Sequence, residues 1–357
     1  MSRRSGCFTT ASPDNREGEG IFMKEYRIAV LGATGAVGRE MLRVLEEYQI
    51  PVSRLLPLAS ARSAGSTVLF RGQEIPVEEA AEERFRDLDF VLGAVGSGLS
   101  RQLRPAIERS GAVYIDNSSA FRLEEGVPLI VPEINGQEAL SRPPVIANPN
   151  CSTIITLMAV AALHRLSPIQ SMVACTYQAV SGAGQGGLVE LEEQMQALAA
   201  GRPVEHRVFP AQIALNVIPV IGDRLENGYT AEEMKMQNEG RKILHQPELK
   251  VTCTCVRVPV ARSHSISVTV RTRDRITPEQ ARAAIGAFPG VRVAEELDGR
   301  DYPTPLDAAG ADTVWVGRIR DDLTQPNSLT LWCCGDQIRK GAAANAVQIL
   351  KKIAEQE

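Results

Sequence analysis

The chain has 357 residues, and none of its apolar runs approaches the roughly 20 residues of a membrane span. The longest candidate, residues 154–163, reads as a buried helix instead. An excess of positive charge is also missing. Lys and Arg number 39 against 43 Asp and Glu, for a net charge of −4, which leaves no broad basic field for a nucleic-acid backbone or an anionic membrane. The seven cysteines include no CxxC pair: Cys253 and Cys255 alternate along a strand-like run, and Cys333 and Cys334 are adjacent. Those spacings do not suit a metal site. An odd cysteine count in a long chain without a secretory segment argues against a disulfide framework and for a reducing, cytoplasmic setting. Residues 1–22 lack both the apolar core of a signal peptide and the acid-poor character of a transit peptide. They read as a disordered extension before a fold that starts near Met23.

What is present is enough residues for about two domains. The segment RIAVL is a short apolar run, GATGAVG is a turn, and REMLRVLEEY continues at helical spacing, so the chain opens with a strand–turn–helix unit. Further strands at RLLPLA, DLDFVLGAV and AVYIDNS, the last after the helix-like SRQLRPAIERSG, imply a doubly wound parallel sheet of Rossmann type over residues 23–148. Past Asn148 the texture changes to NPNCST, an apolar helix, and long alternating strands at VTCTCVRV and HSISVTVRT. That pattern predicts a second, mostly antiparallel α+β domain over residues 149–337. The amphipathic residues 338–357 are expected to pack back on the first domain and complete it.

Gly32, Gly35 and Gly38, with Thr34, Ala36 and Val37 between them, stand after a strand and at a helix start, where backbone amides and the helix dipole favour a pyrophosphate. An NAD enzyme usually carries an acid at the end of the second strand for the ribose diol. This chain has Ser60, Ala61, Arg62 and Ser63 there. A guanidinium flanked by hydroxyls suits a 2′-phosphate, so NADP is expected over NAD. Gly96, Ser97 and Gly98 follow the next confident strand and allow a second close approach of backbone to ligand.

Cys151 stands directly before the apolar helix, where the dipole should lower its pKa and raise the thiolate fraction. A thiol nucleophile needs a proton partner, and the chain has four histidines. His164 falls in the apolar helix, His245 at a helix end and His206 in a loop-like segment. His264 instead shares strand parity with Ile266, Val268 and Val270, so it points inward, away from Ser265, Ser267, Thr269 and Arg271. On the preceding strand Arg257 shares parity with Val251, Cys253 and Cys255. A cation aimed at a buried side requires a partner, and a bound carboxylate would supply one. His264 and Arg257 together predict a cavity for an anionic substrate.

With these residues assembled, the chain from residue 24 onward resembles the aspartate-semialdehyde dehydrogenase family. The resemblance rests on GATGAVG, ASARSAG, DNSSAFR, NPNCST, TYQAVSGAG, EEMK, RVPVARSHS and GDQIRKGAA, all in order. It implies a dinucleotide-binding domain and a catalytic and dimerisation domain like that of glyceraldehyde-3-phosphate dehydrogenase, NADP as cofactor, and a homodimer or homotetramer. Carried over by motif, Cys151 forms a thioester, His264 acts as acid and base, and Gln178 orients the acyl group. Arg257 clamps the substrate α-carboxylate and Glu232 takes its ammonium group, while Arg122, Asn150 and Lys235 bind phosphate. Gln337 lies near the nicotinamide, with Ser181 and Gly182 of TYQAVSGAG also at the cofactor.

The reaction this implies is reduction of L-4-aspartyl phosphate to the semialdehyde, on the branch toward lysine, methionine and threonine. One alternative is an N-acetyl-γ-glutamyl-phosphate reductase, against which EEMK speaks, since a carboxylate for a free ammonium group is pointless beside an acetylated amine. Another is a dinucleotide-binding regulator that has lost catalysis, against which Cys151, His264, Arg257 and Glu232 speak together.

Overall fold

The computed structural model describes residues 24–297 and 299–356; the extension expected over residues 1–22 lies outside them. The first half contains strands β1 (Tyr26–Leu31), β2 (Val52–Ala59), β3 (Thr67–Phe70), β4 (Gln73–Pro76), β5 (Glu78–Glu79), β6 (Phe90–Gly93), β7 (Val113–Asp116) and β8 (Val145–Ala147). Its helices are α1 (Ala36–Glu47), α2 (Ser97–Ser110) and α3 (Pro132–Asn135). Six strands form a parallel sheet in the order β5-β2-β1-β6-β7-β8, and β3 and β4 form a separate hairpin. The expected doubly wound sheet is therefore present. Its central strands are buried on both faces, which is why β1 and β6 read as continuous apolar runs and not as alternating ones.

The second half contains α4 (Cys151–Leu166), β9 (Ile169–Gln178), α5 (Gln185–Ala199), α6 (Ala231–Ile243), β10 (Lys250–Arg257), β11 (His264–Thr272), α7 (Pro278–Gly286), β12 (Val291–Val293), α8 (Pro305–Ala308), β13 (Val314–Asp321), β14 (Ser328–Gly335) and α9 (Ala344–Ala354). Its sheet runs β10-β9-β11-β14-β13-β12. The pairings of β11 with β9 and β14, and of β13 with β14, are antiparallel, whereas β10 pairs with β9, and β12 with β13, in parallel. Three of the five pairings are antiparallel, as the alternating strands suggested, and the parallel edge strands β10 and β12 make the sheet mixed. The physical reason is the connection: α5 and α6 lie between β9 and β10, long enough for a crossover that returns the chain in the same direction.

Two cores hold these layers together. A nine-residue set including Val30, Phe90, Ile115 and Ile146 from the first sheet packs with Met41 and Leu45 of α1 and with Val347, Leu350 and Ile353 of α9, so the chain's last helix covers one face of the first sheet. On the other face, Leu31, Val91 and Tyr114 join Leu103 and Ile107 of α2, and the same core continues through Ile154, Ile155 and Met158 of α4 to Ile266 and Val268 of the second sheet. Helix α4 is buried all round from Ser152 to Leu163 because it packs on β9, β11, β13 and β14 of the second sheet and is covered by α6, α7 and the turn before α9.

Register then decides what meets at the end of the second sheet. Gln178 of β9 stands opposite Arg257 of β10, Tyr177 opposite Ser265, and His264 opposite Gly335. Arg257, Gln178 and His264 are consequently brought to one row on three adjacent strands. The start of α4, which follows β8 of the parallel sheet, faces that row.

Candidate active site

Each element at this junction ends for a local reason. Asn150 caps α4: its Oδ1 accepts hydrogen bonds from Ser152 N at 3.0 Å and Thr153 N at 3.3 Å, satisfying donors that have no partner within the helix. The cap places Cys151 at the first helical position. Helix α6 begins with a capping box between Thr230 and Glu233, which turns Glu232 and Lys235 of its first turns toward the same site.

Cys151 Sγ lies 3.4 Å from His264 Nε2. The other ring nitrogen of His264, Nδ1, accepts a hydrogen bond from Ala179 N at 3.1 Å. Glu232 Oε1 accepts from Asn150 Nδ2 at 3.0 Å and from Gln178 Nε2 at 3.3 Å, and its Oε2 accepts from Lys235 Nζ at 2.7 Å. Arg257 is buried, donates from Nη1 to Ala179 O at 2.7 Å, and has no carboxylate within ion-pair distance among the described residues. The structure therefore brings Cys151, His264, Gln178, Asn150, Glu232, Lys235 and Arg257 into one site.

The electrostatics differ from the thiolate-rich picture expected at a helix start. Burial pushes the Cys151 thiol up to about 11, with the Glu232 carboxylate adding to the effect and Arg122, Lys235 and Arg257 opposing it. A helix terminus contributes at most about 2 kcal/mol, or about 1.5 pKa units, so burial wins and the resting group is a thiol. His264 is pushed down to about 3 by burial and by Arg257. The pair is neutral: a thiol beside an imidazole. Burial works against the Glu232 carboxylate, yet Lys235 and the donors from Asn150 and Gln178 hold its pKa below the ordinary value. Burial also lowers the pKa of Arg257, but a guanidinium remains charged.

Arg122 reaches the site's floor through three contacts, Nε to Asn148 O at 3.0 Å, Nη1 to Glu239 Oε1 at 3.0 Å and Nη2 to Asn117 O at 2.7 Å. Glu239 Oε2 also accepts from Asn150 N at 2.7 Å. Glu239 was not singled out from the sequence, although it follows Glu232 by seven residues, two helical turns on the same face. Gly341 was missed as well: a Cβ there would lie 2.8 Å from Cys151 Cβ, so the turn before α9 packs directly on the nucleophile's stem.

The dinucleotide candidates fall in two groups. In the first, Gly32 has φ +87° and a Cβ on it would meet Ala94 O at 2.4 Å, while one on Gly38 would meet Gly32 O at 2.2 Å. These two glycines close the turn that carries Thr34, Gly35, Ala36 and Val37 onto α1. Helices α1 and α2 are preceded by Gly35 and Gly96 at the cap position, which offer no side-chain acceptor, unlike the caps of α4, α6 and α7. Their first amides have no side-chain acceptor, an arrangement that suits a pyrophosphate. Ser60, Arg62 and Ser63 lie in the turn after β2, with Arg62 exposed. Ser97 Oγ is 3.0 Å from Ser119 Oγ, and Gly98 is exposed with open space around it.

The second group lies beside the catalytic candidates. A Cβ on Gly182 would stand 2.6 Å from Arg257 Nη1 and 3.3 Å from His264 Cε1. Ser181 donates to Ala261 O and accepts from Gln337 Nε2, and Gln337 Oε1 accepts from Ser263 N at 2.7 Å. Ser263, the residue before His264, is held at φ +74°, an uncommon conformation for a residue with a side chain.

The family described as "Semialdehyde dehydrogenase, NAD binding domain" matches residues 27–142, and "Semialdehyde dehydrogenase, dimerisation domain" matches residues 160–340. An aspartate-semialdehyde dehydrogenase of Synechocystis sp. is 44% identical over 329 residues, 92% of this chain and 97% of that protein. The Bacillus subtilis enzyme of the same name is 43% identical over 334 residues, 91% of this chain and 96% of its own. A crystal structure of Vibrio cholerae aspartate semialdehyde dehydrogenase II complexed with ASA superposes with a TM-score of 0.90 at 41% identity, covering 93% of this chain and 99% of that one. On sequence, domain content and fold alike, this chain belongs to the aspartate-semialdehyde dehydrogenase family.

Proposed function

We propose that this chain catalyses the NADPH-dependent reductive dephosphorylation of L-4-aspartyl phosphate to aspartate 4-semialdehyde through a thioester on Cys151. The observation that carries the reading is the pairing of Cys151 with His264 at 3.4 Å beside a buried Arg257 that has no carboxylate partner among the described residues. Arg257 is the group for the substrate α-carboxylate, since its planar fork suits a bidentate pair. Glu232, held ionised, takes the α-ammonium group, and Gln178 positions the acyl group. Lys235, Arg122 and Asn150 supply positive charge and donors for phosphate, and the two free N–H groups of Arg122 are the ones available to it.

The dinucleotide would be held by Gly32 to Gly38, Ser97, Gly98, Ser181, Gly182 and Gln337, with Ser60, Arg62 and Ser63 at the 2′-phosphate of NADP. When bound, it supplies the hydride. Val173 and Tyr177, 55% and 37% exposed on the outer face of the second sheet, and Trp332, whose ring lies 5.3 Å from that of Tyr177, support a homodimer through that face. A cytoplasmic setting and a place in lysine, methionine and threonine synthesis complete the reading.

The test is the reverse reaction. Purified protein should reduce NADP when given aspartate semialdehyde and phosphate, and should fail with N-acetylglutamate semialdehyde. The opposite preference would overturn the substrate assignment.

A further inference from the structure

We infer that Phe209 is a positioning residue for the substrate clamp: its ring, seated by Glu190 and Gln194 of α5, holds the guanidinium of Arg257 in the orientation that receives the substrate α-carboxylate. The inference rests on the proposed use of Arg257. It adds to that reading a segment, residues 205–214, that has no helix or strand of its own.

Such a segment has no ladder for its backbone, so its buried amides need other acceptors. Glu190 and Gln194 stand four residues apart on one face of α5, and both are buried. The Glu190 carboxylate accepts from three consecutive amides, Arg207 N at 2.8 Å, Val208 N, and Phe209 N at 3.3 Å. Gln194 Oε1 accepts from Ile213 N and Ala214 N, each at 2.9 Å. Its Nε2 donates to Glu205 O at 3.0 Å and to Glu190 Oε1 at 3.2 Å. Two side chains of one helix thus fix the segment along its length.

What they fix is the ring of Phe209. It is buried in a cluster with Val180, Ile213 and Ile218. It also meets α5 where that helix lacks a side chain, since a Cβ on Gly187 would lie 3.1 Å from Phe209 Cζ. Arg257 Cζ lies over the ring, 5.9 Å from its centroid, within the range of a cation–π contact. The backbone is tied at the same place: Ile218 N donates to Arg257 O at 3.0 Å, and Arg257 N donates to Ile218 O at 2.8 Å.

Arg257 needs this support. It is buried, with no carboxylate in ion-pair range among the described residues, and its bond from Nη1 to Ala179 O fixes one corner of the fork. The negative face of an aromatic ring adds a second restraint that favours a cation. Unlike a carboxylate, a ring face neither neutralises the guanidinium nor occupies the in-plane N–H groups of the fork. The clamp is therefore kept charged, oriented and open to a carboxylate.

The test is steady-state kinetics with aspartate semialdehyde, phosphate and NADP on two ring variants. Phe209→Leu keeps an apolar side chain and removes the ring. A difluorinated phenylalanine at this position, with fluorines on the two meta carbons, keeps the shape and weakens the negative face. Phe209→Leu should raise KM for the semialdehyde by about ten- to thirtyfold, the worth of a desolvated cation–π contact. The KM values for phosphate and NADP and the kcat should change by less than about threefold, as when binding common to ground and transition state is lost. The fluorinated ring should raise the same KM by a smaller factor. Glu190→Ala, which leaves three amides without their acceptor, should show the same selective rise, and Glu190→Gln, which keeps one acceptor oxygen, a lesser one. Should Glu190→Ala fail to fold, the ring variants decide. A semialdehyde KM unchanged by the fluorinated ring, or a rise shared equally by phosphate and NADP, would overturn the inference. Absence of semialdehyde turnover by the unaltered enzyme would instead overturn the proposed reaction, and this inference with it.

Discussion

Glu239 and Arg122 form an ion pair at 3.0 Å with side chains only 2% and 9% exposed, and the second oxygen of Glu239 accepts the amide of Asn150, the residue before the nucleophile. One carboxylate thus ties the loop after β7 to the start of α4. Removing it leaves the guanidinium of Arg122 buried without a counter-charge. Glu239→Ala should therefore cost about 3–5 kcal/mol of stability, the range for breaking a buried pair, measured by chemical denaturation. A loss below about 1 kcal/mol, the level of an exposed pair, would show that Arg122 is satisfied by its carbonyl partners alone.

Gly341 tests how closely the nucleophile is positioned. A methyl group there would stand 2.8 Å from Cys151 Cβ and 3.2 Å from its Cα. Gly341→Ala should overpack the site by about 1–3 kcal/mol and displace the thiol. The expected kinetic signature is a kcat lower by about 100-fold, as for a misplacement near 1 Å, with dinucleotide binding unchanged. An unaffected kcat would mean that the turn before α9 moves aside freely.

Cofactor choice turns on Arg62. Arg62→Asp should weaken NADP by about ten- to a hundredfold, the worth of a charge-assisted hydrogen bond to phosphate, and leave NAD nearly unchanged. Equal losses for both dinucleotides would remove the 2′-phosphate assignment.

The resting state of Cys151 predicts its reactivity with pH. With the thiol pushed up to about 11 by burial, alkylation by iodoacetamide in the ligand-free enzyme should keep rising through pH 9 and 10, because the thiolate fraction is still growing there. A rate that levels off below pH 8 would indicate a thiolate already formed at rest.

The parts of the site that could be read in the sequence are those that break a strand's pattern. His264 and Arg257 occupy inward positions among Ile266, Val268, Cys253 and Cys255, and both are buried at one end of the second sheet. The parallel first sheet was legible from the alternation of its strands with helices. The direction of β10 was not, since alternation within a strand is blind to its neighbour's direction. Gly341, Ala179 and the Nδ1 contact were hidden for a similar reason: a backbone amide or a missing Cβ acquires meaning only once distant segments are packed together. The Cys151 shift runs opposite to the expectation because the helix-end field is local and visible in sequence, whereas the burial that outweighs it comes from the turn before α9 and from β11.

The covalent role of Cys151 is tested most directly by intact-mass and peptide-mass measurement after mixing the enzyme with aspartate semialdehyde and NADP in the absence of phosphate. Without phosphate the acyl group has no acceptor except water. The expected result is one aspartyl group on the peptide that contains Cys151, formed with a matching burst of NADPH, and neither adduct nor burst in Cys151→Ala. A burst or an adduct that persists in Cys151→Ala would contradict the thioester.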